Sequence, residues 1–144
     1  MKSTTESLSL LLLKARESSI AQVRPILADH GLTEQQWRVL RVLDRSARLS
    51  AQDLANESCI LSPSLSRILV KLELDGLISK RVDSVDQRAL IIKLTAKGKR
   101  LHKKIEPLVE KQFQKLSQSL GQETIINLMG ILQEFTNLGP SSAS

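Results

Sequence analysis

The sequence predicts a mainly α fold with one small β-hairpin, and three observations predict it. Apolar residues recur at helical spacing over most of the 144 positions. The only two β-rich runs lie close together, at 77–82 and 89–94, joined by the polar stretch Asp83-Ser84-Val85-Asp86-Gln87-Arg88. Start and stop residues (Thr33, Ser50, Ser62, Thr95; Gly31, Gly76, Gly121) mark off six helical segments around that hairpin.

The first helix is expected over residues 8–30. Leu8, Leu11, Leu12, Ala15, Ser19 and Val23 share its face, Pro25 is expected to bend it, and Gly31 ends it. The second starts at Thr33, with Gln36 three residues on as a capping box, and buries Trp37, Val39, Leu40 and Leu43. Ser50 opens a short third helix, with Asp53 as its partner and Leu54 and Ala55 inward. The fourth takes Ser62 as N-cap and Pro63 in its first turn. Its core stripe is Leu65, Ile68, Leu69 and Leu72, and Gly76 stops it. Its other face carries Pro63, Ser66, Arg67, Val70, Lys71 and Leu74, with Ser64 at the edge. The hairpin follows. Thr95 then caps a long helix over 96–120 with Pro107 inside it, where a kink is expected. A last helix over 122–138 is apolar on more than one side, so it needs a partner, and a second copy of the chain is the simplest one. The tail Gly139–Ser144 is expected to be disordered. A short helix, a second helix and a hairpin with a charged tip, in that order, make a winged helix-turn-helix. In it the second helix enters the major groove and the hairpin tip reaches the backbone or minor groove.

Composition narrows the function. Apolar residues are 41% of the chain but aromatics only 2% (Trp37, Phe113 and Phe135), which argues against a base-stacking platform. The single cysteine, Cys59, excludes an internal disulfide and a cysteine-rich zinc site. His30 and His102 have no metal-ligand spacing, and the chain has no Gly-rich phosphate loop, metalloprotease helix or nucleophile elbow. No catalytic residue, metal ligand or cofactor is therefore expected. The longest apolar run, Leu10–Leu13, is too short to span a membrane and no signal peptide precedes it, so the chain reads as soluble and cytoplasmic.

Charge is distributed unevenly. Of the net +6, residues 60–104 carry +7, against +1 for residues 1–59 and −2 for residues 105–144. A basic segment confined to one stretch is the electrostatic footprint of a phosphate-backbone binder. A solvated basic face is the plain alternative.

The residues also resemble a known family. Leu72-Glu-Leu-Asp-Gly-Leu-Ile-Ser-Lys-Arg81, Asp86-Gln87-Arg88 and Leu94-Thr95-Ala96-Lys97-Gly98 are similar to the signature of the MarR-type regulators, and the resemblance runs from about Leu8 to Leu138. Ala15-Arg16-Glu17, Arg24-Pro25-Ile26, Leu32-Thr33-Glu34-Gln35-Gln36-Trp37-Arg38 and Cys59-Ile60-Leu61-Ser62-Pro63-Ser64-Leu65 resemble the subgroup of homoprotocatechuate degradation operon repressors. A relative of that subgroup represses fatty-acid efflux genes, so the resemblance does not fix the effector.

The resemblance implies one MarR-like domain over residues 1–144, with dimerisation helices at 8–31 and 96–138 and a winged helix-turn-helix lobe at 33–95. It implies a triangular homodimer gripping one pseudo-palindromic operator in double-stranded DNA. It also implies a cleft between lobe and dimer base where a small phenolic or aryl carboxylate binds and weakens DNA binding.

Candidate residues follow. Arg88 sits at the wing tip, where a narrow minor groove offers enhanced negative potential, and Asp86 is expected to orient its guanidinium. A plain surface ion pair is the competing account. On the fourth helix, Arg67 suits guanine, Ser64 and Ser66 suit phosphates or bases, and Pro63 and Val70 offer apolar contact. Lys71 shares that face. Lys80 and Arg81 flank the wing and are expected to touch phosphate. Each could also be simply solvated. Arg16, Trp37 and Arg38 are the effector-site candidates, because a guanidinium beside an aromatic face suits an aromatic carboxylate. A structural ion pair, Arg16 with Glu17 or another acid, competes evenly with that role. Cys59 is expected to be a buried small hydrophobe. Two alternatives to a DNA-binding regulator of this kind remain: a redox-responsive regulator acting through Cys59, and a helical dimerisation module whose basic face docks an acidic protein.

Overall fold

The computed structural model describes residues 4–139. The chain divides into two compact units, one reaching to Val109 and one starting at Glu110. The expected disorder of the tail falls on residues 139–144, of which 140–144 lie outside the described residues.

The first unit opens with α1 (Thr4–Ile20) and α2 (Arg24–Asp29), which replace the single helix expected over 8–30. Pro25 is the reason. It has no N–H to give the Ala21 carbonyl, and its ring crowds that carbonyl, so the chain breaks at 21–23 and restarts with Pro25 in the first turn of α2. Then come α3 (Glu34–Arg45), β1 (Leu49–Ser50), α4 (Ala51–Ser58), α5 (Ser62–Leu74), β2 (Ile78–Val82), β3 (Leu90–Leu94) and α6 (Ala96–Leu120).

The caps set the frame. Thr33 and Gln36 form the expected capping box on α3, and Ser50 accepts from the Asp53 N–H at the start of α4. Ser62 does not cap α5. It is the first helical residue, and Leu61, whose side chain cannot accept a hydrogen bond, is the N-cap, so the α5 N-terminus has no side-chain cap. Gly76, at φ +74°, closes α5. The Gly76 N–H bonds the Glu73 carbonyl and the Leu77 N–H bonds the Leu72 carbonyl.

The three-stranded antiparallel sheet has order β1-β3-β2. In it Leu49 lies opposite Ile92 and Ile78 opposite Leu94. The two-residue strand β1 is too short to show a period of its own. The core is aliphatic around one aromatic stack. Leu27, Val39, Leu40, Leu54, Leu72, Ile92 and Ile105 are fully buried, and the Trp37 indole lies on the His102 imidazole with centroids 4.8 Å apart and planes 11° from parallel.

The end of α5 is fastened to the start of α6. Thr95 donates its N–H to the Leu77 carbonyl at 3.1 Å and its hydroxyl to the Gly76 carbonyl at 2.6 Å. Lys97 Nζ donates to the Asp75 carbonyl at 2.8 Å. Gly98 permits this approach, since a Cβ there would stand 2.1 Å from the Leu77 oxygen. α6 runs on through Pro107 without interruption.

The second unit holds the end of α6 and α7 (Gln122–Asn137). Among the described residues of α7 only Ile125 is buried, while Ile126, Met129, Ile131 and Phe135 are about half or more exposed. No helix among the described residues is long and apolar enough to cross a membrane.

Candidate nucleic-acid interface

The α4–α5 pair and the β2–β3 hairpin bring the predicted DNA-facing residues onto the surface. Leu65, Leu69 and Leu72 pin α5 to the core, which leaves Pro63, Ser66, Arg67, Val70 and Lys71 exposed and Ser64 half-buried. The Ser66 hydroxyl donates to the Ser62 carbonyl at 3.0 Å, so its oxygen remains available only as an acceptor. Lys71 pairs with Asp75 at 3.1 Å and the half-buried Lys80 with Glu73 at 3.6 Å. Among the described residues Arg67, Arg81 and Arg88 have no acidic partner.

The wing tip is built on two aspartates. The Asp83 carboxylate accepts the Val85 N–H at 3.1 Å and faces Arg48 at 3.7 Å. The Asp86 carboxylate accepts the Arg88 backbone N–H at 3.1 Å. Asp86 thus fixes the backbone of Arg88 as an Asx-turn and does not hold its guanidinium, which corrects the expected ion pair. A carboxylate two residues upstream reaches a backbone N–H more readily than the end of a long, exposed side chain.

Among the effector candidates, Arg16 makes the structural ion pair that was its alternative role, with Glu34 as well as Glu17. Arg16 on α1 and Arg38 on α3 meet at Glu34, which the sequence reading had not singled out. Arg38 grips it with Nε and Nη2 at 3.1 and 2.8 Å, and Arg16 Nη2 reaches it at 2.9 Å. Arg16 also lies 4.0 Å from Glu17. Arg38 Nη1 donates to the carbonyls of Ser58 and Cys59 at 2.9 and 3.2 Å. Burial works to raise the Glu34 pKa, but the hydrogen bonds from Arg38 and Arg16 outweigh it, and the carboxyl titrates below its ordinary value. The i to i+4 spacing of Glu34 and Arg38 was the available signal. Trp37 is buried in the core with one ring face against His102.

Cys59 is exposed, not buried, and is the one non-glycine at positive φ (53°) among the described residues, at the end of α4. Its left-handed backbone turns the chain toward α5 and directs the side chain outward.

Comparison with known proteins places this geometry. The MarR family model matches residues 32–90, from the turn before α3 to the start of β3. The homoprotocatechuate degradative operon repressor of Escherichia coli is 40% identical over 94% of this chain and 92% of its own. The chain belongs to the MarR family. A second relative, the HTH-type transcriptional regulator FarR of Neisseria gonorrhoeae, is 39% identical over 92% of this chain and 90% of its own. Among solved structures, NadR in complex with 4-hydroxyphenylacetate superposes with a TM-score of 0.85 at 39% identity, covering 96% of this chain and 98% of that one. The hairpin described above is accordingly a MarR-family wing, and α4–α5 its helix-turn-helix.

Proposed function

We propose that this protein is a cytoplasmic, sequence-specific repressor that binds double-stranded DNA as a homodimer and is released by a small aromatic carboxylate. The observation that carries the proposal is the exposed α5 face, where Arg67 stands without an acidic partner among the described residues, beside a wing whose tip presents Arg88 equally free. In this reading residues 1–144 form one MarR-like domain, with lobe 33–95 and dimerisation segments 8–31 and 96–138. Arg67 takes guanine bidentately. Ser66, with its proton committed to the helix, accepts from an adenine or cytosine amino group. Ser64 and the uncapped α5 N-terminus suit phosphate. Pro63 and Val70 contact thymine methyls. Lys71, Lys80 and Arg81 hold phosphates, the two lysines exchanging Asp75 and Glu73 for the DNA backbone. Asp86 presents Arg88 to the minor groove. No catalysis is assigned, and the named relatives are transcriptional regulators.

The homodimer accounts for apolar surface on α1, where Leu8, Leu10, Leu11 and Leu13 are exposed, and on α7. For the effector, the related NadR structure holds 4-hydroxyphenylacetate. Arg16, half-exposed and only singly bonded to Glu34, is the anchor for such a carboxylate. Arg38 has its donors engaged and joins the site only by giving up a partner. Trp37 lends the site its buried edge. Exposure of Cys59 in the turn between α4 and α5 favours one second reading, a response to oxidants, which intact DNA binding after peroxide treatment would eliminate.

Selection from a pool of random duplexes tests the proposal. A pseudo-palindrome should be enriched and should compete for the protein at physiological salt. Failure to enrich any sequence would overturn it.

A further inference from the structure

The turn between α4 and α5 determines where the recognition helix begins. Within it, the Cys59 and Ile60 N–H groups bond back to Asn56 and Ala55 at 3.3 and 3.1 Å. The carbonyls of Ser58 and Cys59 point the other way, and both accept from the same nitrogen, Arg38 Nη1. The opposite edge of that planar guanidinium is clamped by both oxygens of Glu34. Glu34 Oε1 is in turn held by Arg16 of α1. One unbroken series of charge-assisted hydrogen bonds therefore runs from α1, through the start of α3, to the carbonyls that end α4 at the α4–α5 turn.

A guanidinium can do this because its donors form a rigid fork, so fixing one edge aims the other. Lysine, a point donor on a flexible stem, cannot span Glu34 and two carbonyls at once. Glu34 is largely shielded, with its side chain 17% exposed, and Arg38 is 26% exposed, so the contact is not a fully solvated pair.

We propose that Arg38 is a positioning residue for the recognition helix, that Glu34 keeps it aimed at the α4–α5 turn, and that Arg16 makes α1 part of the same device. The proposal rests on the DNA-binding reading above and gives it a route for release. An anionic ligand that recruits Arg16 changes the partners of Glu34, and Glu34 holds the side chain that fixes the entry to α5. Binding on α1 is thereby transmitted to the helix-turn-helix within a single protomer.

Backbone amide hydrogen exchange on the free protein tests this without DNA, using Glu34→Gln, which keeps shape and removes charge, together with Arg38→Lys and Arg38→Ala. The Ile60 and Leu65 amides should exchange about 10-fold faster in each variant while the Ile105 amide in α6 keeps its protection. Affinity for the selected duplex should fall by about 10-fold or more, and the weakening of wild-type DNA binding by 4-hydroxyphenylacetate should largely vanish in Glu34→Gln. Unchanged exchange at Ile60 and Leu65 in Glu34→Gln and Arg38→Lys would overturn the proposal, even if Arg38→Ala fails to fold. If no duplex is bound by the wild type, the DNA-binding reading fails, and the exchange data still decide whether Arg38 positions the turn.

Discussion

Trp37 and His102 lie face to face, 4.8 Å between centroids, and join α3 to α6 in the core. The imidazole is 3% exposed, and its Nε2 has no hydrogen-bond partner, while Nδ1 stands 3.6 Å from Asp44 and 3.8 Å from Glu106. His102→Ala should cost about 2–3 kcal/mol, from the lost stack and the cavity. His102→Phe keeps the ring and removes the orphaned nitrogen, so it should fall within about 1 kcal/mol of wild type. Denaturant unfolding followed by the fluorescence of the single tryptophan measures both.

Gly98 and Cys59 should respond to substitution in opposite directions. A Cβ at Gly98 meets backbone, the Leu77 oxygen at 2.1 Å, which cannot swing aside. Gly98→Ala should therefore destabilise by about 3 kcal/mol. Cys59→Gly relieves a left-handed non-glycine residue and should gain about 0.5–1 kcal/mol despite the added chain entropy. Thermal unfolding of the two variants checks the pair.

Stability should depend on Glu34 in a defined pH window. Its folded pKa lies below the ordinary 4.5, so the carboxylate's contribution is complete above that value and is lost as pH falls through the folded pKa. The difference in unfolding free energy between wild type and Glu34→Gln should stay constant from pH 7 to about 5.5 and narrow below 4.5. A difference that widens on acidification would place the charge in an unfavourable setting.

The elements that local chemistry dictates were legible in the sequence. Thr33–Gln36, Ser50–Asp53 and Gly76 are capping signals that act within five residues, and the structure uses each where it was read. Three features were misread where a local rule met a competing one. Pro25 ended the helix it was expected to bend. Ser62 became the first helical residue because Leu61 already had the extended backbone of an N-cap. Cys59 took a left-handed turn conformation that its residue type does not advertise. The Trp37–His102 stack and the bonds from Arg38 to Ser58 and Cys59 join positions 20 to 65 residues apart, and no periodicity encodes them. Glu34 was readable as the i,i+4 partner of Arg38 but not as the meeting point of two arginines.

Dimerisation should be separable from folding. The chain mass is 16.0 kDa, and sedimentation of the wild type at low micromolar concentration should give twice that. Ile126→Glu with Ile131→Glu places charge on exposed α7 positions, 62% and 64% accessible, so the double variant should sediment as a folded monomer. A wild-type mass near 16.0 kDa would contradict the dimer.

The most direct test of the central claim is fluorescence anisotropy on the selected duplex and a scrambled one at fixed, moderate salt, with wild type, Arg67→Ala and Arg88→Ala. Arg67→Ala should lose about 1–3 kcal/mol on the selected duplex and little on the scrambled one, the signature of a base contact. Arg88→Ala should weaken binding to the selected duplex while leaving the thermal unfolding midpoint unchanged, as expected of an exposed wing tip. Equal affinity of all three proteins for both duplexes would contradict the account.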